Sequence, residues 1–257
     1  MIRSATQIKA LVRNISKGDS TKAQIIIRSY FMERFLERVS LSEFKNSFVL
    51  KGGLLISSIV GLDVRSTMDI DGTMKNMPMT IERTKMMMDK IVAIPLEDNT
   101  VFTVKRIEEM MEESEYGGIR VSLDARVDIM RTPLKIDIST GDVITPMEIT
   151  YKYKLMFEDR TINVLAYNLE TLLAEKLVTV ISRGALNTRL RDYYDIYILN
   201  DTGIYPINND TFQQAFKATT EKRGTADLLK DGDIILQEVN DSETMQSLWR
   251  DYHHKYY

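Results

Sequence analysis

The stretch Arg65-Ser66-Thr67-Met68-Asp69-Ile70-Asp71 follows shortly after the turn signal Lys51-Gly52-Gly53. If residues 65–71 form a strand, its odd-numbered side chains share one face, and these are a cation, a hydroxyl and two carboxylates. Two carboxylates at this spacing repel each other, and a hard divalent cation between them relieves that repulsion. The cation of the same face is then available for an anionic ligand. The stretch therefore predicts a strand that binds metal and phosphate, which indicates phosphoryl chemistry.

The composition bounds the class of protein. The chain has 257 residues, of which 44% are hydrophobic and 28% charged, as is typical of a soluble globular protein of one or two domains. It has no cysteine, which excludes disulfide frameworks, thiolate metal sites and cysteine nucleophiles. The two histidines, His253 and His254, are neighbours in sequence, so a histidine-based zinc centre or a Ser-His-Asp triad is not expected.

Charge and hydropathy indicate where the protein works. The N-terminus lacks an apolar signal region, and no run of about 18 apolar residues occurs, so we expect a cytoplasmic protein with no membrane partner. The formal net charge of −3 argues against indiscriminate nucleic-acid binding. A local basic surface remains compatible with that total.

The first two thirds of the chain mix helix and strand patterns. A capping box at Thr21 and Gln24 starts an amphipathic helix over 23–39. Further helices are predicted at 54–60 and 80–91, the second with Met86, Met87 and Met88 as core filler. Strands are predicted at 48–50, 65–71, 102–110, 119–127, 134–139 and 162–165, with the turn at 116–118 joining two of them into an antiparallel hairpin.

The pattern becomes helical from residue 168 onward. Helices are predicted at 169–182, 189–199, 210–220, 228–238 and 243–252. The chain thus reads as an α+β fold, with a mixed-sheet domain and N-terminal helices at 1–167 and a helical domain at 168–257. No long linker separates the two parts, so we expect them to pack together with a cleft at their interface.

Two features of the first part suggest ligands. The Gly52-Gly53 turn leads into a helix, so it could receive a phosphate on backbone N–H groups, although such a turn is also common without a ligand. Asp137, on a separate predicted strand, could join Asp69 and Asp71 as a third carboxylate. Three converging carboxylates suit Mg²⁺ or Mn²⁺ and could hold two metal ions.

Two polar residues of the helical part fall on apolar stripes. Lys176 lies on the stripe of helix 169–182, so it either extends its stem to the edge of the helix or reaches the phosphates of a nucleotide. Asp192 begins the inward stripe of the next helix. It either pairs with Arg189 at the helix start or orients Lys176 or a substrate hydroxyl.

Four motifs occur in order between residues 48 and 199. They are Lys51-Gly52-Gly53 with Arg65-x-Thr67-x-Asp69-Ile70-Asp71, then Lys135-Ile136-Asp137, then Glu170-Thr171-Leu172-Leu173-Ala174-Glu175-Lys176-Leu177, and then Arg189-x-Arg191-Asp192-x-Tyr194-Asp195. Together they resemble the AbiEii/AbiGii abortive-infection toxin family, which contains nucleotidyltransferase-like proteins of bacterial toxin–antitoxin systems related to the DNA polymerase β superfamily.

The resemblance implies a mixed-sheet nucleotidyltransferase domain, a helical C-terminal domain, an NTP substrate and Mg²⁺ or Mn²⁺. It implies metal binding by Asp69, Asp71 and Asp137, and catalytic roles for Asp69, Asp71, Lys176 and Asp192. Nucleotide-binding candidates are Lys51, Gly52, Gly53, Arg65 and Thr67. The wider superfamily commonly has Gly-Ser where this chain has Gly52-Gly53, so the phosphate here would rely on backbone N–H groups, Lys51 and Arg65.

The expected function is a toxin that transfers a nucleotide to RNA, with tRNA as the leading acceptor, in a toxin–antitoxin or phage abortive-infection system. A cognate antitoxin is implied by the resemblance alone. Two alternatives stay open, namely an NTP-binding sensing module without transferase activity and nucleotidyl transfer to a protein or small molecule. Candidate RNA contacts, or else an ordinary solvated surface, are Arg183, Arg189, Arg191, Lys222 and Arg223.

Overall fold

A computed structural model describes residues 2–110, 117–201 and 206–256. The chain divides into two compact units, and each is described by itself. The first unit comprises Met1–Asp142 and Ile149–Ala166, and the second comprises Val143–Glu148 and Tyr167–Tyr257. The sequence-based division did not assign residues 143–148 to the helical part.

The first unit is built on a seven-stranded mixed sheet, as predicted for the fold class. Its strands are β1 (Phe48–Lys51), β2 (Ile70–Met74), β3 (Val101–Met110), β4 (Gly118–Val127), β5 (Met130–Thr140), β6 (Ile149–Lys154) and β7 (Thr161–Ala166). Their spatial order is β3-β4-β5-β2-β1-β7-β6. The β2–β5 and β1–β7 pairs are parallel and the other pairs are antiparallel.

Helix α2 (Ser20–Leu41) forms the centre of the core beside the sheet. It packs against α1 (Ala5–Ser16), α4 (Ile81–Val92), β5 and β7, which explains why every residue from 29 to 39 is buried. The predicted amphipathic character is therefore wrong for this half of the helix. The predicted capping box is also wrong, because the Asp19 carboxylate accepts hydrogen bonds from the Thr21 and Lys22 N–H groups at 2.8 and 3.0 Å.

The strand predicted at 65–71 is mostly irregular in the structure. β2 begins only at Ile70, because β1 ends at Lys51, the partner of Asp71, and turns there into helix α3 (Gly52–Val60). Residues before Ile70 therefore have no neighbouring strand on that side. Asp71 lies on a strand, whereas Arg65, Thr67 and Asp69 are held in the preceding loop.

The β3–β4 hairpin is confirmed, and part of its predicted turn at 116–118 lies outside the described residues. β5 is longer than predicted and includes Pro133, which faces Asp124 of β4 at a point that β2 does not reach. β6 was not predicted, although its sequence is rich in tyrosine and β-branched residues. In α4, Met87 and Met88 are fully buried and Met86 is exposed, so the core-filler prediction holds for two of the three methionines.

The second unit is helical. Its helices are α5 (Leu169–Arg183), α6 (Leu190–Asp201), α7 (Asn209–Arg223), α8 (Gly232–Asp241) and α9 (Glu243–Tyr256). The helix predicted at 228–238 is divided, because a short 3-10 turn at Leu228–Asp231 precedes Gly232. Segment 143–148 is tied to α5 by the Asn168 amide, which donates to the Thr145 and Met147 carbonyls. Among the described helices, none is both long and apolar enough to cross a bilayer.

Candidate functional site

Four charged residues form a row across four adjacent strands of the first unit. In the strand register Lys51 of β1 faces Asp71 of β2, Asp71 faces Asp137 of β5, and Asp137 faces Arg120 of β4. Register partners point to the same face of a sheet. Backbone pairing therefore holds two carboxylates side by side, with a cation on each flank. We call these four residues the charge row.

The Gly52-Gly53 turn contacts the Asp71 carboxylate. The Gly53 N–H, at the start of α3, donates to Asp71 Oδ2 at 3.3 Å. Gly52 has φ +66°, and a Cβ there would lie 2.1 Å from the same oxygen. Gly52 is thus required by the close approach of the Asp71 carboxylate. The helix N-terminus favours the charged form of Asp71.

Arg65 and Thr67 are buried beside this turn, each about 4% exposed. A Cβ on Gly53 would lie 2.7 Å from Thr67 Oγ1 and 3.3 Å from Arg65 Nη2. The Thr67 hydroxyl donates to the Asp69 carbonyl at 3.3 Å, and Arg65 donates to the Ser66 carbonyl. The structure therefore brings three of the predicted nucleotide-binding residues together at the start of α3.

The carboxylates of Asp69 and Asp71 are repelled by each other and by the carboxylate of Asp137. Burial raises the pKa of Asp69, and Asp137 adds to that rise, while Lys135, Arg28 and Arg120 oppose it. Burial also raises the pKa of Asp71, and Asp137 and Asp69 add to it, against the Gly53 N–H and Lys51. The ionised forms of these two carboxylates are therefore disfavoured without a further positive charge.

The donor chemistry at Asp69 and Asp71 fits a hard divalent cation, because both carboxylates are half-buried and repel each other. Asp137 is engaged differently. Arg120 donates from Nε and Nη2 to its two oxygens at 2.8 and 2.7 Å. Within the described residues, no group of three or more acidic or histidine side chains is arranged to hold a metal ion. A metal role for Asp137 stays a prediction, and it requires Arg120 to move.

Sequence reasoning missed Arg120 and Asp142. Lys51 Nζ lies 2.6 Å from Asp142 Oδ2, and the Ser139 hydroxyl donates to the same oxygen at 2.6 Å. The Asp142 side chain is fully buried, so this pair anchors Lys51 at its end of the charge row. Alternation in β4 could have placed Arg120 on one face, but only the strand register reveals its partner.

The second unit contains its own buried charge cluster. Lys176 Nζ of α5 lies 2.9 Å from Asp192 Oδ1 and 2.7 Å from Asp195 Oδ2, both on α6. Burial opposes the charge of Lys176, but the two carboxylates more than offset it and raise the pKa of the lysine. Lys176 therefore points inward and does not extend its stem to the edge of the helix, while its contact with nucleotide phosphates stays a prediction. Asp195, fully buried, was quoted in a motif but given no role.

The candidate RNA contacts divide into two groups. Arg223 Nη1 donates to the Glu175 carbonyl and the Thr179 hydroxyl, so it links α7 to α5. Arg189, Arg191 and Lys222 are exposed.

Comparisons with known proteins agree with this fold. Residues 34–256 match the family model described as nucleotidyl transferase AbiEii toxin, type IV TA system. A search of curated proteins found no significant match. Among solved structures, the chain is similar to MenT4, a nucleotidyltransferase toxin from Mycobacterium tuberculosis H37Rv, with a TM-score of 0.56 and 13% identity over 81% of this chain and 68% of that one. This likeness supports the fold.

Two structures from Helicobacter pylori are more distant. JHP933 gives a TM-score of 0.46 at 14% identity, over 90% of this chain and 94% of that chain. A putative nucleotidyltransferase gives 0.47 at 17% identity, over 89% and 86%.

Proposed function

The chain belongs to the AbiEii family of nucleotidyltransferase toxins of type IV toxin–antitoxin systems, and from that premise we propose that it uses an NTP and Mg²⁺ to transfer a nucleotide to RNA, with tRNA as the leading acceptor. The family makes the chain a toxin-type nucleotidyltransferase. The nucleotide, the metal and the acceptor are the proposed additions.

The observation that carries the proposal is the Asp71 carboxylate at the start of α3, with Asp69 near enough to raise the pKa of Asp71. Attack of a hydroxyl on an α-phosphate requires neutralisation of developing charge more than it requires a covalent nucleophile. A bound Mg²⁺ would supply that neutralisation and polarise the phosphate oxygens. Asp69 and Asp71 would hold it, because burial and neighbouring carboxylates raise the pKa of both and a bound cation would favour their ionised forms.

The neighbouring cations suit the phosphates of the nucleotide. Arg65 is buried against Gly53, and Lys51 of the charge row is held in place by Asp142. A helix N-terminus favours anions, and α3 begins at this place. We therefore assign phosphate contact to Lys51, Arg65 and the backbone of α3, with Thr67 positioning the loop through its bond to the Asp69 carbonyl.

The acceptor and the partner are proposed from the family and from surface charge. Arg189, Arg191 and Lys222 are exposed cations of the second unit and can contact RNA phosphates. A cognate antitoxin is expected because the family belongs to toxin–antitoxin systems, and a role in phage defence follows from the same relationship. Because tRNA is the proposed acceptor, we propose that the protein acts in the cytoplasm.

The experiment is to incubate the full chain with each α-³²P-labelled NTP, Mg²⁺ and a bacterial extract, and then to treat the products with ribonuclease or protease. The proposal is supported if the labelled product has the size of tRNA and is degraded by ribonuclease. Label that is lost to protease indicates a protein acceptor. Nucleotide binding without release of pyrophosphate indicates a sensing module. A protein acceptor or a sensing module would each contradict transfer to RNA.

A further inference from the structure

The first unit contains a cavity with both polar and apolar walls, whose lining residues are all outside the charge row. It measures about 240 Å³ and lies between α2, α3 and the β6–β7 hairpin. Its polar lining includes Ser29, Glu33, Ser57 and Tyr153, and Leu54 and Leu155 supply apolar walls. A volume below that of drug-sized sites suits a small ligand.

Two buried polar groups in this cavity are incompletely satisfied. Ser29 is 3% exposed, and its hydroxyl has no hydrogen-bond partner among the described residues. Glu33 is 4% exposed, and its two carboxyl oxygens share a single donor, the Met156 N–H, at 3.2 and 3.0 Å. Leaving a buried polar group unsatisfied is energetically unfavourable, so the pair points to a ligand that completes their bonding.

An ionised Glu33 would have no cation among the described residues of the protein to balance its charge. Arg34 pairs with Glu37 at 2.9 Å and Glu158 at 3.1 Å, and Arg160 pairs with the same two glutamates. The two arginines therefore balance the charges of two glutamates, and neither forms an ion pair with Glu33. Within the part of the chain that the structure describes, no cation forms an ion pair with Glu33.

The remaining neighbours do not supply the charge. Lys154 lines the cavity, but its side chain is exposed to solvent. Tyr153 is neutral, because burial raises the pKa of its phenol well above the ordinary value. Burial raises the pKa of Glu33 to about 8, with Glu158 and Glu37 adding to the rise and the Met156 N–H and Arg34 opposing it. Glu33 therefore keeps its proton at neutral pH while the cavity holds no cation.

We propose that this cavity binds a primary aliphatic amine, whose ammonium group pairs with Glu33 and donates to the hydroxyls of Ser29 and Ser57. An ammonium group supplies one positive charge and three hydrogen-bond donors, which are the features that the lining lacks. The alkyl chain packs against Leu54 and Leu155. Because the amine arrives protonated at neutral pH, Glu33 releases its proton to solvent on binding.

The test is calorimetric titration of the full chain with n-butylamine and, separately, with n-butanol, which has the same chain but no charge. At pH 7.5 the amine should bind saturably at one site, and the alcohol should not. Glu33→Gln keeps the shape of the side chain but removes its charge, so amine affinity should fall at least about tenfold. Glu43→Gln, which removes one exposed carboxylate, should leave amine affinity unchanged.

The pH dependence gives a second measurement on the unmodified protein. Because Glu33 must lose its proton, amine affinity should rise about tenfold between pH 6.5 and 7.5. Ser29→Ala should weaken amine binding severalfold, and it keeps the test valid if Glu33→Gln does not fold. No saturable amine binding, equal binding of the alcohol, or an affinity insensitive to pH and to both substitutions would overturn the proposal.

Discussion

Asp71 and Asp137 are register partners in the parallel pairing of β2 with β5, so their carboxylates lie on the same face of adjacent strands. Each added negative charge raises the pKa of Asp71, yet Asp137 is neutralised by Arg120 and Asp71 receives the Gly53 N–H. The charge row is therefore asymmetric. Both oxygens of Asp137 accept hydrogen bonds from Arg120, whereas the Asp71 carboxylate is the one that we propose binds a metal ion.

Gly52→Ala should abolish nucleotide transfer. Gly52 has φ +66°, and the added Cβ would lie 2.1 Å from Asp71 Oδ2, so the carboxylate must move away. The matched control is Gly61→Ala, since Gly61 has φ +97° and nothing within 4 Å of the added atom. Both substitutions should cost about 1–3 kcal/mol of unfolding free energy from backbone strain. Urea denaturation and the labelled-NTP assay measure the two effects, and full transfer by Gly52→Ala would show that the close contact is unimportant.

Arg120→Gln should tighten Mn²⁺ binding severalfold, because it releases the carboxylate of Asp137 to a metal ion. The Arg120 side chain is 39% exposed, so the lost ion pair should cost less than about 1 kcal/mol of stability. Electron paramagnetic resonance titration with Mn²⁺ measures the binding. Arg106→Gln on β3 removes an exposed arginine as a control. Unchanged affinity in Arg120→Gln would remove Asp137 from the metal site.

Much of the fold follows from local sequence pattern, but the site depends on pairing between distant strands. The helices 80–91 and 169–182 were predicted to within a residue or two at each end, because Thr80 and Asn168 cap them and their apolar spacing is regular. The strand at 65–71 was wrong, because alternation alone cannot show that β1 ends opposite Asp71. A segment with alternating side chains forms a β-strand only where a neighbouring strand can pair with it.

The contacts of the site were less predictable than its residues. Motif order drew attention to Asp69, Asp71 and Lys176, whereas Arg120 and Asp142 lie in no recognised motif. Their roles arise from the β4–β5 register and from the turn after β5, which are set by the packing of the whole sheet. Sequence spacing cannot supply such long-range register.

Lys176→Met should destabilise the protein by about 3–5 kcal/mol, because it leaves the carboxylates of Asp192 and Asp195 without their shared cation. Asp195→Asn combined with Lys176→Met should restore part of that loss, since one of the two buried charges is then absent. Chemical denaturation of the single and double variants measures the coupling. Strictly additive effects would show that the lysine and Asp195 do not interact.

The unfolding free energy should fall as pH rises from about 4.5 to about 8. Glu33 is protonated in the folded protein up to a pKa of about 8 but ionises near 4.5 when unfolded, so the folded state binds the extra proton in this window. The slope from this group is about 1.4 kcal/mol per pH unit. Denaturation at several pH values should give a flatter profile for Glu33→Gln, whereas Glu43→Gln should keep the original slope. Parallel profiles for Glu33→Gln and the unmodified protein would contradict the assignment.

Nucleotide transfer to RNA should depend on the carboxylates of Asp69 and Asp71. The most direct measurement compares transfer of label from α-³²P-NTP to RNA by the unmodified protein and by Asp69→Ala, with circular dichroism confirming that the variant is folded. We predict labelled RNA from the unmodified protein and a decrease of at least about a hundredfold with the variant. Retained transfer by a folded Asp69→Ala variant would contradict the account.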